Sequence, residues 1–464
     1  MGNHKSGSKR ASIGDYAAYG IYRVTEALLR LLPMEVVCVI GACMGQLACF
    51  LMPRRRGIVM RNLRIVYGSR LSLNEIRALT HKTFRHLGSN LIASIPASII
   101  SNDELKERVE IVGVENLIEA LNQDKGCILL MAHMGNWEIL TQLKILVPEI
   151  QSLASLYRPL DNSLLDRLVK RRRQSKGASL YSREDGFAKP IIHLKEGGTL
   201  GCIADQNAGK HGMVVPFFGK LSSMTNLPAL LHRKTKAPII PLSMCTAGPG
   251  KWKVIFNPAI DIPEHAKKDT YQVTIQCAYA YEKIMSESPA DVLWMHNYWR
   301  GAKRIALKIR GQTPRNIDHA SLQYSKPFCL VIYAGETITD QQLRETLAYF
   351  RHYRKDLHIT LLGSYSEFAE ADTCLLIDVQ DPPHLSANSL ASLQETMPTP
   401  FDCALDFSAD DAGKRLFKQA EISPCFTLTS PLKSGHTTTT PLSSSSNYEQ
   451  RLEYFTRCIT PSAQ

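Results

Sequence analysis

The chain has 464 residues, a hydrophobic fraction of 44% and a charged fraction of 21%. That length suits two or three domains, and that balance excludes a disordered polymer and a fully polytopic membrane protein. The net charge of +12 is unevenly placed: residues 326–464 carry 11 Lys and Arg against 17 Asp and Glu, which leaves about +18 on the residues before them. Such a field suits an anionic membrane surface, a phosphorylated lipid or an acidic carrier protein. Nucleic acid is not expected as a partner, because no recognition motif is present and Lys and Arg do not alternate with aromatics.

In chain order, residues 15–100 read as helices. Residues 32–52, LPMEVVCVIGACMGQLACFLM, are followed at once by Pro53, Arg54, Arg55 and Arg56. The apolar part, 36–52, is at the short edge for a spanning helix. No cleavage site follows it, and the arginines favour a cytoplasmic end. Two readings stay open, a spanning or embedded anchor and a buried core helix. RNLRIVYG (61–68) and the stretch 72–100 continue as helices, the latter opened by Ser72 with Glu75 three residues on, a capping box.

From residue 109 to 260 the pattern becomes strands alternating with helices. GCILLMAH (126–133), SLASLYR (152–158), TLGCIADQ (199–206), APIIPLSM (237–244) and KWKVIFNPAI (251–260) are short β-rich runs. NSLLDRLVKRRRQ and AKPIIHLKEG between them are helical candidates. The alternation predicts an α/β core on a largely parallel or mixed sheet, with its site beyond the carboxyl ends of strands. The pattern breaks near Arg310 at GQTPRN. A second α/β unit starts at about Lys326: FCLVIYAG as strand, DQQLRETLAYFRHYRK as helix, HITLLG and TCLLIDV as strands. Residues 427–446 are Ser/Thr-rich and read as a loop or linker. The expected organisation is an N-terminal helical membrane anchor (1–60), a catalytic domain (61–315) and a C-terminal α/β accessory domain (326–464).

The chemistry centres on MAHMGNWEIL, 131–140. A strand-like run delivers His133, Gly135 and Asn136 make a turn with Asn136 as N-cap, and Trp137 and Glu138 open a helix. On one continuous helix, five residues would separate His133 from Glu138 by about 140°. They meet only if His133 precedes the helix. Glu138 would then hold the imidazole and stabilise its protonated form, and His133 would act as a general base. The spacing by itself equally fits a strand-end histidine and a glutamate that complements a helix dipole. Asp205 follows the apolar run LGCIA and would be costly to bury unpaired, so an arginine is its expected partner. The run Arg171, Arg172, Arg173 reads either as a solvated helix face or as a grip on phosphates or an acidic carrier.

The twelve cysteines show no C-x-x-C pair and no regular spacing. They read as buried, reduced thiols in a protein that faces the cytosol. No H-E-x-x-H and no Gly-x-Ser-x-Gly is present, so neither a metal, another cofactor nor an acyl-enzyme is expected.

HMGNWE (133–138) resembles the H-x-x-x-x-E signature of the glycerolipid acyltransferase superfamily, in the Gly-Asn-Trp-Glu form of the bacterial lipid A late (lauroyl/myristoyl) acyltransferases. LYRPLDNSLLDRLVKRRRQSKG (156–177), ADQNAGKHGMVVPFFGK (204–220), TKAPIIPLSM and VLWMHNYWRGAK (292–303) are similar to further blocks of that family, over roughly residues 15–310. The closing block departs from the family's usual Arg-Trp end, reading Asn-Tyr-Trp-Arg. The resemblance implies transfer of a fatty acyl chain from an acyl carrier protein thioester to a hydroxyl of a lipid A precursor. It places the reaction at the inner membrane with the catalytic domain cytoplasmic, and His133 and Glu138 in catalysis. Arg173 matches the arginine that the family places near its site. Arg158 is a second candidate for substrate binding, and Asp205 a third. Acylation of a glycerophospholipid or another glycolipid is the alternative, and an inactive lipid-binding protein the remaining one. Residues 326–464 fall outside this resemblance. Their strand–helix–strand start resembles the N-terminal half of heptosyltransferase-type glycosyltransferases. The Gly-Asp turn and the second Rossmann half are missing, which implies a Rossmann-like, non-catalytic unit.

Overall fold

The computed structural model describes residues 11–182, 186–264, 266–299, 325–336, 338–353, 356–376, 399–408, 412–419 and 425–427. The GQTPRN break and residues 428–446 lie outside them. Two compact units are present. One holds the described residues of Met1–Met60, Leu71–Gln206 and Thr225–His296, the other those of Arg61–Arg70, Asn207–Met224 and Asn297–Gln464.

The first unit opens with helices α1 (Ile13–Leu29), α2 (Met34–Leu51) and α4 (Leu73–Ala97), with α3 (Pro53–Tyr67) running on from it. The capping box at Ser72 forms: its hydroxyl accepts from the Glu75 N–H and the Glu75 carboxylate accepts from the Ser72 N–H. Glycines let α2 and α4 approach to backbone contact. A Cβ on Gly45 would lie 2.1 Å from the Phe84 carbonyl oxygen, and one on Gly88 2.2 Å from that of Gly41. The face of α2 turned to α4 is buried, while Val39, Met44, Leu47, Phe50 and Leu51 are exposed.

The same unit carries a seven-stranded mixed sheet. Its strands are β1 (Val109–Val112), β2 (Cys127–Met131), β3 (Leu153–Tyr157), β4 (Ala178–Ser182), β5 (Thr199–Ile203), β8 (Ile239–Gly248) and β9 (Lys251–Phe256). The order is β1-β9-β8-β2-β5-β3-β4, and only the β8–β9 pair is antiparallel. Each of the five β-rich runs read from sequence is one of these strands; β1 and β4 are additional. Central β2 is CILLM, buried at every position, as expected for a strand with parallel neighbours and both faces covered. Helices α10 (Leu227–Thr235) and α11 (Thr270–Glu287) pack on β2, and α8 (Ser163–Ser175) packs on β4.

In the second unit β6 (Met213–Phe217) and β7 (Lys220–Met224) form an antiparallel hairpin. A five-stranded sheet, parallel throughout, is built from β10 (Phe328–Tyr333), β11 (Leu357–Gly363), β12 (Thr373–Leu376), β13 (Cys403–Asp406) and β14 (Cys425–Thr427), in the order β12-β11-β10-β13-β14. Alternation along β10 feeds two cores. Phe328, Leu330 and Ile332 pack with Leu343, Leu347 and Phe350 of α12 (Asp340–Tyr353). Cys329, Val331 and Tyr333 pack with Leu416 and Phe417 of α13 (Ala412–Gln419). Buried Asp402 accepts from Lys220 Nζ at 2.7 Å and is ion-paired with Arg61 of α3.

Candidate active site

Strands β2 and β5 run parallel with a constant offset of 72 residues, from Cys127 opposite Thr199 to Met131 opposite Ile203. Continued two residues past the strand ends, that register sets His133 against Asp205. His133 Nδ1 lies 2.6 Å from Asp205 Oδ1, and the His133 N–H donates to Asp205 Oδ2 at 3.3 Å. Asp205 is 1% exposed. A carboxylate on Nδ1 places the proton there and leaves the Nε2 lone pair for chemistry, by hydrogen-bond logic. Burial pulls the imidazole pKa down. The charge of Asp205, its hydrogen bond and the charge of Glu138 outweigh that, so the net direction is up from 6.5.

The turn behind His133 is held from residues 291–293. The Gly135 N–H donates to the Asp291 carbonyl at 3.0 Å, and the Leu293 N–H donates to the His133 carbonyl at 2.9 Å. Gly135 has φ +57, and a Cβ there would stand 2.2 Å from the Met244 carbonyl oxygen, so only glycine fits. The Asp291 carboxylate accepts from the Thr246 N–H at 2.8 Å and from Ser288 Oγ at 2.6 Å, and meets His86 Nδ1 at 2.9 Å. Burial would raise its pKa, but these hydrogen bonds, His86 foremost, hold it below the ordinary carboxylate value.

Two expectations are corrected here. Asn136 does not cap a helix. A 3-10 helix, Trp137–Gln142, follows it, and its ψ of 67° leaves the extended region from which an N-cap side chain reaches the first turn. Its amide oxygen and nitrogen are buried without a partner among the described residues. Second, the carboxylate on the imidazole is Asp205 and not Glu138. The 3-10 turn directs Glu138 towards α8, where Arg173 grips it with Nη2 at 2.7 and 2.9 Å and Nε at 3.2 Å. Among the described residues, buried Asp205 has His133 as a charged partner.

Helix α8 is set by Asn162, whose side chain accepts from the Leu164 and Leu165 N–H groups. Its consecutive arginines part ways: Arg173 reaches Glu138, and Arg172 pairs with buried Glu26 of α1 and donates to Tyr22 Oη at 3.2 Å. A cleft of about 350 Å³ lies between α1, α4 and α8, lined by Tyr22, Leu91, Ile95, Trp137, Glu138, Arg172, Arg173 and Lys176 among others. Trp137 joins it to His133, with the two rings edge-on at a centroid distance of 5.5 Å. Arg158 follows β3, is exposed, and does not line this cleft. Among the described residues no group of His, Cys, Asp and Glu converges as a metal site.

Residues 5–301, well over half of the chain, match the family of bacterial lipid A biosynthesis acyltransferases. The chain belongs to this family. It is therefore an acyltransferase that transfers groups other than aminoacyl groups. It is 26% identical to the lipid A biosynthesis lauroyltransferase of Escherichia coli (strain K12) over 273 residues, 58% of this chain and 87% of that protein. It is 24% identical to the palmitoleoyltransferase of the same organism over 272 residues, 58% and 86% of the two chains. A phosphatidylinositol mannoside acyltransferase of Mycolicibacterium smegmatis is 24% identical over 204 residues, 43% of this chain and 65% of that one.

In this acyltransferase two contacts of the candidate site escaped the sequence reading. The pairing of Asp205 with His133 had a visible signal, since ILLMAH and LGCIAD are matching apolar runs that each end on an ionisable residue. The contacts of Asp291 had little: Ser288 is three residues away, but Thr246, His86 and Asn90 are 45 to 205 residues distant.

Proposed function

We propose that this chain transfers a fatty acyl group from an acyl carrier protein thioester to a hydroxyl of a lipid A precursor, with His133 as the general base. The observation that carries it is the imidazole at the end of β2, with Nδ1 held by a buried carboxylate and Nε2 left to act. Nε2 takes the proton of the acceptor hydroxyl while its oxygen attacks the thioester carbonyl. The C–S bond breaks, and the proton passes from the imidazolium to the departing sulfur. Asp205 and Glu138 stabilise the imidazolium by their charge. Arg173 holds Glu138 in place, and Arg158 is assigned to substrate contact at the cytoplasmic face. Direct transfer, without an acyl-enzyme, is supported by the cysteines of the strands. Burial pushes the Cys202 and Cys245 thiols up to about 12, and the Cys127 thiol up as well, so none is a ready thiolate.

Attachment to the inner membrane is supported by α2, about 27 Å long at 1.5 Å per residue, and by exposed Ile13, Ile21, Val24 and Leu28 of α1. The close contact of α2 with α4 favours an embedded helix over an isolated span. The organisation proposed remains an anchor in 1–60, a catalytic domain in 61–315 and a Rossmann-like accessory domain in 326–464. A non-catalytic role for that last part is supported by α13. Its Lys414 N–H is taken by the chain's own Asp406 and its Ala412 N–H by Ser408, where a nucleotide-binding unit offers such groups to phosphate.

A second reading, acylation of another glycolipid, is favoured by the likeness to the phosphatidylinositol mannoside enzyme. Mass spectrometry of lipid A from cells with and without the protein tests the first. An added acyl chain that depends on the protein is expected. Unchanged lipid A with an altered second glycolipid would move the conclusion to the other acceptor.

A further inference from the structure

The described residues that line the cleft beside Glu138 include three cations and one carboxylate. Arg173 is matched by Glu138, and Arg172 by Glu26. Among the described residues Lys176 meets no carboxylate. Its Nζ donates to the Ile100 carbonyl at 3.0 Å and to Asn102 Oδ1 at 3.2 Å, both neutral acceptors. An ammonium has three N–H donors, so one remains. Lys176 and Arg172 are four residues apart at the C-terminal end of α8 and so share a helix face. Both reach the end of α4 and the segment after it, Arg172 through Ser98 Oγ at 3.4 Å and Lys176 through Ile100. Apolar Leu91, Ile95 and Val169 line the same cleft. A partly desolvated cation with a spare donor, beside apolar side chains, matches an anionic group carried on a hydrocarbon-bearing substrate. Burial lowers the Lys176 pKa from its usual value, consistent with an ammonium that lacks a counter-ion.

We propose that Lys176, with Arg172 beside it, forms a phosphate subsite in this cleft and selects substrates that carry a phosphate group. The proposal rests on the reading of the chain as a lipid acyltransferase. Phosphate reaches such a site from two sources, a phosphorylated glycolipid acceptor or the phosphodiester that links pantetheine to a carrier protein.

The test uses the full chain in detergent micelles as parent, Lys176→Met and Lys176→Arg, each checked for a cooperative melting transition. In one arm kcat/KM is compared for a phosphorylated glycolipid acceptor and the same acceptor after phosphatase treatment. In the other, the acyl carrier protein donor is compared with an acyl-pantetheine that lacks the phosphodiester. In one of the arms the parent should prefer the phosphorylated substrate by about tenfold or more, the value of a charge-assisted hydrogen bond. Lys176→Met should abolish that preference and Lys176→Arg keep most of it; the arm in which this happens names the source. A lysine that only complements the helix C-terminus would change stability without changing the ratio. A preference that survives in Lys176→Met, or is absent from the parent in both arms, overturns the subsite. If Lys176→Met does not melt cooperatively, Lys176→Gln takes its place. Should the parent transfer no acyl chain at all, the functional reading has failed separately. The subsite is then decided by cosedimentation of parent and variant with phosphatidylcholine vesicles with and without the phosphorylated glycolipid. Equal binding by both proteins would overturn it.

Discussion

An imidazole flanked by Asp205 and within electrostatic reach of Glu138 stays protonated to higher pH than a free histidine, yet a general base must be neutral to act. Activity should therefore fall as pH drops through a value above 6.5, and not through one below it. In Asp205→Asn the largest upward influence on His133 is gone while burial remains. The acid limb of the kcat profile should move to lower pH, with a lower plateau, because the imidazolium has lost its charged partner. A limb that stays in place would detach Asp205 from the base. His133→Ala should lose roughly 10²–10⁴-fold in turnover, the usual contribution of a positioned base. Glu138→Gln should also be severely impaired, since it removes a charge that supports the imidazolium and leaves Arg173 without its partner. Purified variants assayed with carrier thioester and lipid acceptor check both; turnover within tenfold of the parent in His133→Ala would sink the assignment.

Elements place these residues. Parallel pairing of β2 with β5 sets Asp205 level with His133, and the hydrogen bonds from residues 291–293 fix the turn between β2 and the 3-10 helix. The contact of α2 with α4 depends on glycine in the same direct way. Gly45→Leu puts a side chain where the Phe84 carbonyl stands, so the helices must separate. Overpacking of this kind costs about 1–3 kcal/mol. In detergent the variant should unfold at lower denaturant concentration than the parent. An unchanged midpoint would mean that the two helices do not depend on each other.

Over the whole molecule, His133, Asp205 and the cleft all fall in the first compact unit, whereas Asn207–Met224 belongs to the second. A chain ended near Asn316 keeps the first set and removes Asp402, the counter-ion of Lys220. We expect such a truncation to retain acyl transfer with a lower melting temperature. A folded truncation without activity would make the C-terminal part essential. In the full chain, Asp402→Asn leaves two cations facing a neutral amide, one of them in a fully buried position. Breaking a buried pair costs roughly 3–5 kcal/mol, readable as a shift in denaturation midpoint. A loss below about 1 kcal/mol, the scale of an exposed pair, would mean that Lys220 finds another partner.

The sequence by itself determined the α/β class, the five strand runs and the helix cap at Ser72, and it singled out His133 and Asp205 of the candidate site. These are local matters: apolar runs of strand length, a Ser-x-x-Glu spacing, and a histidine and an aspartate that each end a buried run. It also carried the family, through blocks spread over about 300 residues. Only the tertiary structure decided which carboxylate serves which cation. Glu138 is five residues from His133 and Asp205 is 72 away, so nearness along the chain favoured the first. Strand register brings the second into contact, and a 3-10 turn sends the first to Arg173. Register depends on the pairing of whole strands, and no local window of sequence contains it.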